Sequence, residues 1–274
     1  MEYAVRLLNP GPLPKDPRRL CPVTWRKLLP DGPLTALYFG SEFCQDLIPD
    51  IKEAEEFCAL AKDTGLEAVL LTPVVRSDGL SLLQELVTEL KNRGWSLTVV
   101  FNDLGVLRML NNDHPQGKRQ AGRLINRALR DPRLAEQPQE SQIGETARGG
   151  QIRALLQRFG VAGLETDPDL EGSYLGNGEA ELLRVLHLPY IFATSGRNCL
   201  FKAEAQQEHQ NFAKNLSRTC RVPCRQRGYS VDRSDLDHPL WRAGNTLFYE
   251  ATQALVEAHL GRADRIVIHE SPMS

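Results

Sequence analysis

Short apolar runs recur along the chain, and most are followed by a stretch with helical periodicity. The runs Tyr3–Leu8, Leu34–Phe39, Ala68–Thr72, Ser96–Phe101, Val161–Glu165, Pro189–Ala193 and Arg265–His269 are almost continuously apolar or β-branched. Continuous rather than alternating apolarity is the mark of parallel strands covered on both faces. Between them, Asp50-Ile51-Lys52-Glu53 has capping-box spacing, and Ile51, Ala54, Phe57, Cys58 and Ala61 fall on one helical stripe that stops before Gly65. Ser81–Arg93 places Leu82, Leu83, Leu86, Val87 and Leu90 on one face and stops at Gly94. The stretches 151–159, 179–186 and 246–259 carry the same period. Strand and helix alternating at this rhythm predict an α/β fold with a parallel sheet. Seven or eight such strands fit a (β/α)8 TIM-like barrel, regular or distorted, better than an open doubly wound sheet. No G-x-G-x-x-G turn follows any early strand.

Two stretches break the rhythm. Residues 131–150 are polar and loop-like, and read as an excursion from the barrel. Residues 199–238 are long, charged and weakly periodic, yet hold three of the six cysteines. A segment unable to bury much apolar area needs another source of order, and a bound metal is one. The expected organisation is therefore a single barrel domain over 1–274, with 194–240 as a C-terminal, cysteine-bearing insertion.

Charge and targeting signals narrow the class. A net charge of −2 gives no global pull toward nucleic acid or anionic membrane. No apolar run approaches the roughly 18 residues of a membrane span, and the first twenty residues lack the pattern of a signal peptide. The expected location is the cytoplasm. In a reducing compartment six cysteines are not expected to form structural disulfides, and clustered ones point to metal binding or redox chemistry. Cys58, on its helix stripe, reads as a buried structural thiol, and Cys21, in a Pro- and Arg-rich linker, as structural or incidental.

Cys44 and Cys199 each follow a predicted strand, in GSEFCQ and SGRNC. In a parallel barrel such loops share the C-terminal rim, where sites are assembled. Cys220 and Cys224, in TCRVPCRQRG, lie shortly beyond and can fold back over that rim. Cys44, Cys199, Cys220 and Cys224 then make one four-thiolate set. Four thiolates suit zinc or a 4Fe–4S cluster; scattered ligands with only one close pair favour the cluster over paired zinc knuckles. Arg218, Arg221, Arg225 and Arg227 around the pair are either charge partners of the bound group or a solvated basic loop. Weaker candidates also follow strands. Asn102 and Asp103 can serve a polar site or cap a helix, and Glu165, Thr166 and Asp167 share that ambiguity. Arg197 can meet an anionic substrate or pair with the metal site. No nucleophile–base arrangement for proteolysis stands out.

One early cysteine after YFGSEF with three late ones in SGRNC and CRVPC resembles the peptidase U32 family, within it the UbiV-type subgroup of the UbiU–UbiV pair. VVFNDLGVLRML (99–110) and AGRLINRALRDPRL (121–134) are similar to the family's Asn-Asp-x-Gly strand end and the stretch after it. Together the likeness spans residues 34 to 230, and the length between Cys199 and Cys220 departs from it. The resemblance implies a barrel core, a 4Fe–4S cluster on the four cysteines, and oxygen-independent hydroxylation rather than proteolysis. It implies a ubiquinone precursor as substrate, prephenate as oxygen donor, and a heterodimer with a related U32-family barrel protein. Family members that hydroxylate tRNA or ribosomal RNA bases supply an alternative, and a non-catalytic partner subunit ordered by its cluster supplies another.

Overall fold

The computed structural model describes residues 1–126, 132, 150–168, 182–197, 199–205, 220–225 and 227–272. In chain order its strands are β1 (Glu2–Arg6), β2 (Leu34–Gly40), β3 (Glu67–Leu71), β4 (Thr98–Phe101), β5 (Arg119–Ala121), β6 (Gly163–Thr166), β7 (Leu183–Leu188), β8 (Tyr190–Ser195), β9 (Tyr229–Val231), β10 (Leu240–Ala243), β11 (Thr246–Glu250) and β12 (Arg265–His269). The helices are α1 (Ile51–Asp63), α2 (Ser77–Asn92), α3 (Leu104–Asp113), α4 (Gly150–Arg158), α5 (Leu200–Ala205) and α6 (Gln253–Leu260). Among the described residues, eight parallel strands close into a barrel in the order β1-β12-β7-β6-β5-β4-β3-β2. This is the expected (β/α)8 architecture. Beside it stands a four-stranded antiparallel sheet, β8-β11-β10-β9.

Strand alternation explains the apolar runs. Outward residues Val5, Leu37, Phe39, Leu70, Val99, Phe101 and Leu164 pack with Phe57 and Cys58 of α1, Leu83 and Leu86 of α2, and Val106 and Leu110 of α3. Inward residues Ala4, Ala36, Tyr38, Val69, Leu71, Val100, Val185 and Val267 fill the barrel. Two buried layers per strand leave no room for a polar face. Asp50 caps α1, accepting the Glu53 N–H at 2.8 Å. Helix α2 begins earlier than its stripe, and Leu82 stays exposed while Leu83, Leu86, Val87 and Leu90 are buried. At the N-terminal mouth Arg265 donates to Glu67 at 2.9 Å and to Glu2, while Thr98 Oγ1 donates to Glu67 at 2.7 Å. Among the described residues no helix is long and apolar enough to cross a membrane.

Several expectations need correcting. The expected helix over 179–186 is strand β7 where it is described; 179–181 lie outside the described residues. Leu182, Val185 and Leu186 fit a helical stripe as well as a doubly buried strand, and periodicity cannot separate the two. The run Pro189–Ala193 is β8, in the second sheet rather than the barrel, because β7 already occupies the place beside β12. Cys199 therefore follows a strand of the antiparallel sheet. The expected helix 246–259 divides into β11 and α6, capped by Thr252, whose Oγ1 accepts the Leu255 N–H. Gly244 (φ 58°) and Asn245 form a two-residue hairpin between β10 and β11. Strand β5 is short and polar, so it left no apolar signature. The excursion expected at 131–150 lies outside the described residues except for 132 and 150.

Gly40 ends β2 at φ 91°, and a Cβ there would stand 2.6 Å from the Leu71 carbonyl oxygen. Gly65, at φ 70°, opens onto free space. We expect Gly65→Ala to cost about 1–2 kcal/mol in urea unfolding, the left-handed penalty alone. Gly40→Ala should cost clearly more, because the backbone of β3 must also shift.

Candidate functional site at the C-terminal face of the barrel

The C-terminal strand ends carry charge into a closed space. Arg6 ends β1, Glu165 and His187 lie near the ends of β6 and β7, His269 ends β12, and Glu42, Arg123 and Asp167 stand just beyond β2, β5 and β6. All are buried. Arg123, 1% exposed, is the centre of a salt-bridge group. Its Nε donates to Glu42 Oε2 at 3.0 Å and its Nη1 to Asp167 Oδ1 at 2.8 Å, while Nη2 makes a short contact with Glu42. The guanidinium also lies 5.2 Å from the Phe43 ring centroid and 5.9 Å from that of Phe192. Burial opposes its charge, but Glu42 and Asp167 more than offset this and hold Arg123 above its ordinary pKa. Arg6 donates to the Gly40 carbonyl at 2.8 Å, and burial lowers it to about 10.

Beside this group runs a hydrogen-bonded chain. Tyr38 donates to Glu165 Oε1 at 3.1 Å, Glu165 Oε2 closely contacts His187 Nε2, and His187 Nδ1 lies 2.7 Å from His269 Nε2. Burial, then the charge of Glu42, raises the Glu165 carboxyl well above its usual range. Burial, then Arg123, pushes His187 and His269 well below theirs. The pair Glu165–His187 accordingly holds one proton: the carboxyl donates to Nε2, and His187 Nδ1–H donates to His269. Such a chain can hold a proton at the barrel mouth and pass it along.

The other polar candidates fasten loops. Asn102 Nδ2 donates to the Thr72 carbonyl at 2.9 Å, and its Oδ1 accepts the Leu124 N–H at 2.9 Å. Asp103 caps α3, accepting the Gly105 N–H at 2.6 Å and the Val75 N–H at 3.3 Å. Thr166 Oγ1 donates to the Val185 carbonyl at 3.3 Å. Arg197 is exposed and shares a cavity of about 60 Å³ with Cys44, Cys199 and Lys202. Sequence reasoning passed over Glu42, Arg123, His187 and His269. The available signal was a titratable residue at an inward position of an apolar strand, as in VLHL and IVIH.

All six cysteines are free thiols. Cys21 packs near Tyr3 and Trp25, and Cys58 within α1. Cys199 and Cys224 form one packed cluster with Leu47 and Phe201, and Cys44 and Val222 lie against it. Cys220 accepts the Val222 N–H at 3.3 Å and is near enough to Cys199 to feel its charge. Burial raises Cys44 to about 12 and Cys224 to about 11, and also raises Cys199 and Cys220. Backbone N–H groups act the other way: those of Lys202 and Phe201 on Cys199, of Asp46 on Cys44 and of Val222 on Cys220. The cations that lower the thiols are Arg242 and Lys202 at Cys199, Lys202 at Cys220 and Arg225 at Cys224. Arg225 also pairs with Glu53, and Arg227 lies over the Phe201 and Tyr229 rings; Arg218 lies outside the described residues. Among the described residues, no group of three or more His, Cys, Asp and Glu side chains is arranged to hold a metal ion. The four thiols, the N–H groups turned to sulfur and the cations alongside are the donor types of a four-thiolate cluster, but the thiols are not gathered around a common point as ligands.

One loop joins the two regions. Ser41 Oγ accepts the Cys44 N–H at 3.2 Å, and between them Glu42 turns to Arg123 and Phe43 packs on Phe192 and Phe248. A cavity of about 40 Å³ lined by Arg6, Gly40, Leu47 and Cys224 lies between barrel mouth and thiols.

The buried proton sets a pH dependence. Near pH 7 the folded state keeps one proton on Glu165–His187 that the unfolded chain releases, so stability falls as pH rises. Below about pH 6.5 the unfolded chain protonates two histidines that the folded state keeps neutral, so stability falls as pH drops. The two effects oppose each other, so these groups together give a stability maximum between an acid and an alkaline decline. Urea unfolding from pH 5 to 8 should show it. Glu165→Gln, whose amide can still donate to His187, should remove the alkaline decline and leave the acid one.

No protein-family model and no curated relative matches the chain. A solved structure described as the U32 peptidase Mk0906 is similar over 98% of this chain and 92% of its own, with a TM-score of 0.44 at 13% identity.

Proposed function

We propose that this chain is an iron–sulfur protein of the U32 type that serves the oxygen-independent hydroxylation of a quinone precursor. It acts as one subunit beside a related barrel protein, with prephenate as oxygen donor. The observation that carries this reading is the meeting of Cys44, Cys199, Cys220 and Cys224, from three separate segments, in one patch next to a buried proton-holding chain. These four thiols would hold a 4Fe–4S cluster, which when bound supplies reversible one-electron chemistry.

The chain's own residues supply the rest. Lys202, Arg242 and Arg225 offset the negative charge of four thiolates, and Arg197 stands at the same cavity to meet a carboxylate. Glu165, His187 and His269 hold a proton at the mouth and orient it along one line. Phe43, Phe192 and Phe248 exclude water on the side of the second sheet. Of the basic run that would favour an RNA substrate, Arg225 pairs with Glu53 and Arg227 lies over the Phe201 and Tyr229 rings.

Protein prepared without oxygen is expected to be brown, with broad visible thiolate-to-iron absorption and about four irons per chain. Alanine at Cys44, Cys199, Cys220 or Cys224 should each deplete the iron, and alanine at Cys21 or Cys58 should leave it unchanged. A colourless protein with one bound zinc would sink the proposal.

A further inference from the structure

A second pocket lies away from the thiols, between α2, α3 and the loops that enter β4 and β5. It measures about 330 Å³, within the usual range of small-molecule sites. Arg119, at the start of β5, points outward into it and is only 4% exposed. Loop carbonyls hold the guanidinium: Nε donates to Gly117 at 3.3 Å and Nη2 to Pro115 at 2.5 Å. Its Nη1 has no hydrogen-bond partner among the described residues.

Arg119 also lacks a counter-ion among the described residues. Burial alone shifts its pKa, downward, with no carboxylate acting against it. A buried cation without an anion is costly, and proteins rarely keep one without a use. Beside it His114, 7% exposed, uses Nε2 near Thr88 Oγ1 at 3.4 Å and leaves Nδ1 without a partner among the described residues. Asp113, the acid next in sequence, accepts from Gln84 at 2.8 Å and does not line the pocket. Lys91 and Lys118 line the rim, and none of the described lining residues is acidic. Val99 and Leu110 form the walls with Trp95, whose indole N–H is fixed on Glu55 at 3.1 Å.

Two unpartnered polar atoms on an apolar-walled, cationic pocket ask for a ligand that is charged at one end only. We propose that this pocket binds a small organic carboxylate with an apolar or aromatic body. The carboxylate accepts from Arg119 Nη1 and His114 Nδ1 once these side chains turn toward it, since both atoms are covered by protein as the structure stands, and the body packs on Val99, Leu110 and Trp95. The site is independent of the thiol patch.

Benzoate is a suitable probe, with inorganic phosphate as an anion without a body and benzyl alcohol as a body without charge. Equilibrium dialysis on the full chain at low salt should show saturable benzoate binding and much weaker binding of the other two. Arg119→Met should weaken benzoate by roughly ten- to a hundredfold, the worth of a buried charge-assisted hydrogen bond. Lys118→Gln, at an exposed position where the fold tolerates change, should weaken it about two- to fivefold, and Lys118→Glu more. The Lys118 pair decides the matter if Arg119→Met does not fold. Absence of saturable benzoate binding, phosphate binding as tightly as benzoate, or Lys118→Glu binding like wild type would overturn the proposal.

Discussion

The buried guanidinium of Arg123 is the interaction around which the C-terminal face is organised. It is reached by Glu42 from the loop after β2, by Asp167 from the end of β6, and by the Tyr190 carbonyl of the second sheet at 3.3 Å. Phe43 and Phe192 cover it from the loop and from β8. Removing one member of such a group leaves an uncompensated charge in a place water does not reach, at a cost of about 3–5 kcal/mol. Three barrel loops and a separate sheet are thus held to one centre by a single residue. The charges nearly cancel: Arg6 and Arg123 face Glu42 and Asp167, and the Glu165–His187 pair is neutral once it keeps its proton.

The antiparallel sheet is the lid of this arrangement. Asn245, in the β10–β11 hairpin, donates to the Phe43 and Gly196 carbonyls, each at 2.6 Å. The hairpin therefore grips the same loop that carries Glu42 and Cys44. Gly244, which gives the hairpin its tight turn, lies so close to Cys224 that a Cβ there would stand 3.5 Å from its sulfur. Turn geometry and thiol placement are set by the same few residues.

The barrel was legible because doubly buried parallel strands cannot hide: LTALYF, AVLL and the IVI of RIVIH are apolar on both faces. Where that rule did not apply, reading failed. RQA of β5 is polar because its inward Gln120 takes part in the Tyr38 network and its outward Arg119 serves a pocket. LRVLHL of β7 satisfies two periods at once. TLFYE of β11 merged with the helix after it, although Gly244-Asn245 marked a hairpin. The place of Cys44 just after a barrel strand was legible, whereas Cys199 follows a strand of the other sheet, so the argument from a shared barrel rim does not apply to it. Arg123 was concealed in AGRLIN, since nothing local distinguishes a buried arginine from a solvated one. Its importance lies in partners 81 and 44 residues away.

The loop from Ser41 to Leu47 has a mechanical meaning. Cys44 is extended (φ −130°, ψ 119°) and stands two residues from Glu42. The chain bends at Glu42 and Phe43, so the carboxylate and the thiol leave one short turn of backbone on either side of the Phe43 ring. A shift of the loop backbone at Cys44 is resisted by Phe43, whose ring packs on Phe192 and Phe248. The thiol patch and the proton-holding mouth therefore share one short loop, with Glu42 turned to one and Cys44 to the other. A shift of charge at the thiol patch would be felt at the barrel mouth as a change in its electrostatic field.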